Sequence, residues 1–249
     1  DFTTAAGWTA TDTTGTFNLR DAALSTSNTW TGTNTFEDSI TVNAYAYFEG
    51  AKFQRPTSGT NATAIGSSAG LTTQGANAVA IGFYAGQTRQ LGQGVAIGYQ
   101  AGRADQGSGA VALGYLAGAT TQGSVGVALG QSAGSFEQGD STVAIGANAA
   151  ANSQGDYGVA IGRDAGKDAQ GAVSVAIGYY SGRTSQGGGA TAVGRQSGET
   201  SQGDNTTAVG YLAGNASQTA GATAVGQQAG QINQAENATA LGRAAGYTG

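Results

Sequence analysis

The chain has 249 residues, with 45 Gly, one Pro and no Cys, His or Met. Charged residues make up only 10% and the formal net charge is −5. The missing His and Cys exclude Ser-His, Cys-His and His-ligated metal chemistry, and the few Lys and Arg argue against a nucleic-acid partner. No apolar run approaches the roughly 20 residues needed to span a bilayer as a helix, so no membrane insertion is expected. Without Cys there is no disulfide, and the redox compartment is not legible. The sequence starts at Asp1 rather than Met and is read as processed or as a piece of a longer protein.

Residues 1–60 come first and differ from the rest. Both Trp (Trp8 and Trp30) and the single Pro (Pro56) lie here. The stretch NTWTGTNTFEDSITVNAYAYFEGAKF alternates Thr, aromatic and polar residues, which predicts short β-strands with TGTN as a turn. NLRDAALS is read as one helical turn or a short helix. The region is expected to be a small β-rich attachment or trimer-nucleating segment, or a cap over the open end of a stack of repeats.

From residue 61 to 249 the chain repeats itself. A Gly closing an Ala-aliphatic-Gly triplet recurs from Gly66 through Gly82, Gly98 and Gly146 to Gly242, always at a step of sixteen, in twelve copies without a slip. A period kept in register this long is the mark of a solenoid, because a disordered Gly-rich linker has no reason to keep step. The residue before the marker Gly is always Ile, Val or Leu, as at Ile81 and Ile145. The one before that is Ala in every copy, as at Ala80 and Ala144, and before it stands Val or Thr. Gly returns four residues after the marker, as at Gly86, except at Ala150. Gln stands eight residues after it in all eleven copies that reach so far, as at Gln106.

Large-small-large alternation predicts a strand with an aliphatic face and a crowded face that admits only a methyl. The Gly columns predict turns needing φ > 0. The Gln column predicts a stacked amide ladder with a scaffolding role. The expected fold is therefore all-β: a parallel β-roll or β-solenoid of twelve 16-residue coils. At a strand step of roughly 4.8 Å the column is about 58 Å long. So thin a coil buries little by itself, so an intertwined or side-by-side homotrimer is expected, packed through either the Ala face or the aliphatic face.

The pattern VAIGxxAGxxxQG resembles the head repeats of trimeric autotransporter adhesins, over about residues 61–249. That resemblance implies a left-handed parallel β-roll packed as a trimer, although the step there is nearer fourteen. AIGxxAG repeats and the segment WTGTNTF are also similar to parts of phage tail fibres and spikes. This second resemblance implies a trimeric shaft, and a self-cleaving C-terminal chaperone lost on maturation.

Candidate chemistry is sparse. Asp164 with Asp168, and Glu37 with Asp38, are the nearest to paired carboxylates and are read as solvated surface charge. The Gly-rich QGGGATAVG at 186–194 is one more repeat copy rather than a phosphate loop. The position after the marker Gly is rich in aromatics, and Tyr99, Tyr115, Tyr179 and Tyr211 are candidate glycan contacts by ring stacking, although packing against neighbouring coils is favoured. No cofactor, metal or catalytic residue is assigned. The expected role is a structural fibre or spike of a phage virion, a rigid shaft for host-surface attachment. It would meet other virion or surface proteins through residues 1–60. The alternative is a cell-surface trimeric adhesin or extracellular filament subunit, and an ice-binding solenoid ranks last because its Thr column is broken by Val from Val79 to Val175.

Overall fold

The computed structural model describes residues 59–248. The expectations placed on residues 1–58, including Glu37 and Asp38, lie outside the described residues. Within them the chain is an all-β parallel solenoid of 16-residue turns with no helix. Each of the first ten turns carries two three-residue strands, such as Val79–Ile81 and Thr88–Gln90, and the last two carry only the first kind. The first kind stacks into a 12-stranded parallel sheet and the second into a 10-stranded one. Register is strict, with Ala80 opposite Ala96 and Gln90 opposite Gln106, so every column of the sequence becomes a ladder in space.

The first sheet alternates as expected. Ala80 and its equivalents as far as Ala224 are wholly buried, while Val79 and Ile81 are half-buried on the outer side. The Ala face is the interior of the chain's own coil. Packing of neighbouring chains through that face is therefore overturned: Ala144 is 0% exposed and closed off within its own chain. Of the first sheet's two faces, only the aliphatic one is open to a neighbour.

The second sheet does not alternate. Its strands show two exposed or half-buried residues and then a buried Gln. The middle residue sits in the left-handed region, as at Arg89 (φ 50°) and Thr121 (φ 52°), which turns its side chain outward beside its predecessor's. Two further columns, one wholly and one mostly non-Gly, share this conformation, seen at Tyr84 (φ 57°) and Val125 (φ 57°). Such residues are uncommon at positive φ, yet every turn of the coil needs them to close within sixteen residues.

The interior is Ala and Gln. Gln106 Nε2 donates to the carbonyls of Val95 (2.9 Å) and Ala110 (3.3 Å) and to Gln122 Oε1 (3.1 Å). Each amide thus bonds its neighbour in the ladder and also crosses the coil to tie the two sheets together. The second link was not legible from the Gln spacing. The ladder runs in three segments, because Gln138 Oε1 and Gln186 Oε1 accept no hydrogen bond.

The Gly after the turn makes room for this amide. A methyl at Gly86 would lie 2.6 Å from Gln90 Oε1. At the one exception, Ala150 (φ 45°), the following Gln154 reaches Val143 O at 3.2 Å, whereas Gln138 and Gln170 reach their partners at 2.9 Å. Ala150→Gly is expected to raise stability by about 1 kcal/mol, since left-handed backbone costs Ala roughly that much over Gly. Chemical denaturation measures it, and an unchanged or lowered midpoint would show that Ala150 carries no strain.

Candidate functional site

The coil presents two faces and two edges, and each has its own chemistry. The outer face of the first sheet is aliphatic. It carries Val or Thr and Ile, Leu or Val from every turn, with Ile65 47%, Leu113 40% and Ile177 37% exposed. The outer face of the second sheet is polar, built from Thr, Ser, Asn and charged residues such as Thr72, Thr73, Asn152 and Ser153. Phe136 is its one exposed aromatic among the described residues.

The edge after the marker Gly holds the aromatic column. Phe83 stacks on Tyr99 (5.5 Å between centroids, 19°) and Tyr99 on Tyr115 (5.2 Å, 10°). Three turns beyond Tyr115, Arg163 lies over Tyr179 (5.7 Å), and two turns after that Arg195 lies over Tyr211 (5.3 Å), two cation–π pairs in the same column. The stacking follows from register, because one ring per turn in one column puts the rings at about the strand spacing. Both faces of Tyr99 are therefore engaged by its neighbours. Its edge and hydroxyl remain at the surface, so sugar stacking on the ring face is not the geometry it offers. The Tyr179 hydroxyl is held above its ordinary pKa, first by its hydrogen bond with Tyr180.

Asp164 departs from expectation. It is buried (5% exposed) rather than solvated, and is held by Asn148 Nδ2 (3.2 Å) and Arg163 Nε (3.1 Å). Asp168 is partly exposed and accepts from Asn152 Nδ2 at 2.6 Å. Each carboxylate is thus taken up by a partner one turn below. No group of three or more metal-ligating side chains occurs among the described residues. A shallow groove lined by Glu137, Ser153, Ala169 and Gln186 offers one carboxylate, and Ser153 Oγ already donates to it (3.0 Å). No helix among the described residues is long and apolar enough to cross a membrane.

Fold and surface define a β-solenoid repeat protein. No family model, curated protein or solved structure matches the chain.

Proposed function

We propose that this chain is one strand of a rigid homotrimeric shaft, a structural fibre or spike of a phage virion that serves host-surface attachment. The observation that carries the reading is the contrast between the two outer faces. One is polar and suits water. The other is a continuous aliphatic ladder from Ile65 to Leu241. At the strand spacing it spans about 53 Å by roughly 10 Å, or about 500 Å². A contiguous patch of that size matches the largest that monomers expose, and such patches are often functional. Its outer column is Ile, Leu or Val in every turn, and the column beside it is Val or Thr, which suits a partner with the same period, namely further copies of the chain. The assignment to a virion rests on the resemblance of the repeat and of WTGTNTF to tail-fibre segments. A scaffolding role for the Gln and Gly columns is consistent with a shaft rather than an enzyme.

Light scattering on the purified chain is expected to give three times 24.3 kDa. A monomer at micromolar concentration would sink the shaft reading.

A further inference from the structure

The two edges of the coil carry opposite charge. Six of the seven basic residues among the described residues lie on the edge between the first strand and the second: Arg103, Arg163, Lys167, Arg183, Arg195 and Arg243. The return edge carries Asp140, Asp156, Asp204 and Glu236 and no basic residue. The two acids on the cationic edge are taken up inside the chain. Asp164 is buried against Arg163 and Asn148, and Glu199 receives Asn215 Nδ2 (3.1 Å) and faces Arg183 (3.6 Å). On the acidic edge the four carboxylates make no ion pair among the described residues, and neither do Arg195 and Arg243; Asp140, Asp156 and Asp204 each accept one backbone N–H from the preceding turn, which leaves their charge unpaired. Asp140, Asp156, Asp204, Glu236, Arg163, Arg195 and Arg243 are all exposed.

We infer that neighbouring copies meet head to tail, parallel and in register, with the Arg edge of one chain against the acidic edge of the next. This rests on the homotrimer reading and says how its corners are made. Three slabs that turn their aliphatic faces to a common axis bring unlike edges together at each corner, the heterologous contact of a cyclic assembly. Cyclic symmetry allows no axial offset, so the pairing has no adjustable parameter. At zero offset Arg163 lies seven residues from Asp156, Arg195 nine from Asp204 and Arg243 seven from Glu236. Each separation is less than one turn, so each pair differs in height by less than about 4.8 Å. Area supports the same conclusion. The aliphatic face falls short of the roughly 800 Å² per partner of a standard interface, and the edges supply the remainder. The aromatic column then lies at these corners beside the Arg residues.

The chain has no Cys, so single Cys variants report cleanly. Chains carrying R195C and chains carrying D204C, with different tags, are co-expressed and treated with a short bismaleimide. A link between the two kinds of chain is expected, with none between copies of R195C alone, and R163C with D156C should behave the same way. Links within R195C alone would overturn the head-to-tail contact. A trimer by scattering with no mixed link from either pair would also overturn it, while leaving the homotrimer standing. A monomer would overturn both. In a second arm, R163E/R195E/R243E is expected to lose trimer at low salt, and adding D156K/D204K/E236K to the same chain should restore it. Failure of that restoration while the cross-links are absent would count against the pairing.

Discussion

Gln106→Ala is expected to cost about 3–5 kcal/mol, the sum of a cavity and of buried polar groups left without partners. The side chain is 0% exposed. Its removal leaves Gln122 Oε1 without a donor and takes one bond each from the carbonyls of Val95 and Ala110 and from Gln90 Nε2, although Ala110 O keeps Val95 N and Gln90 Nε2 keeps the carbonyls of Val79 and Gly94. Gln106→Glu keeps the volume and separates the two contributions. A carboxylate there would face the carbonyl oxygens of Val95 and Ala110 in a dry interior, so its folded pKa should rise well above the ordinary 4.3 or so. An acid whose folded pKa is raised is penalised only once the unfolded chain has lost its proton. The loss should therefore be small below about pH 4, grow as pH rises through that value, and level off above the folded pKa. Denaturation midpoints from pH 3 to 8 test this. A pH-independent loss would mean that the amide-to-carbonyl bonds do not hold the two sheets together.

Gly98→Ala should be nearly as damaging, at about 3 kcal/mol or more, because a disfavoured backbone and a steric clash combine. Its φ is 129°, and a methyl there would lie 2.6 Å from Gly114 O, the backbone of the next turn. Neither turn can yield without moving the whole stack, since Gly98 N already bonds Ile81 O at 2.8 Å. Gly109→Ala is the control. Its φ is 65°, nothing lies within 4 Å of the added carbon, and the same column holds Val125 and Tyr157 elsewhere. It should cost no more than about 1 kcal/mol. Equal losses at the two positions in thermal melts would show that backbone preference alone, not the stacking of turns, fixes the marker Gly.

Both variants act through ladders, and ladders are what the amino-acid sequence reveals most directly. A step of sixteen kept from Gly66 to Gly242 fixes a stacked parallel fold with equivalent residues above one another. The Ala column then announces a crowded face and the Gln column an amide ladder, because identical neighbours at the strand spacing leave few other arrangements. Period and side-chain size, both local properties, were enough. Tertiary structure decided what depends on how the coil closes. Whether Ala144 faces the chain's own interior or a neighbour is set by the side to which the second strand returns, and the spacing is the same either way. The outward turn of both Arg89 and its predecessor follows from left-handed backbone at a residue that is not Gly, which no composition rule marks. Asp164 looked like any surface acid until the next turn down placed Asn148 beneath it. The segregation of Arg and Asp onto opposite edges was present in the sixteen columns from the start. It gained meaning only when the fold put half a coil between them.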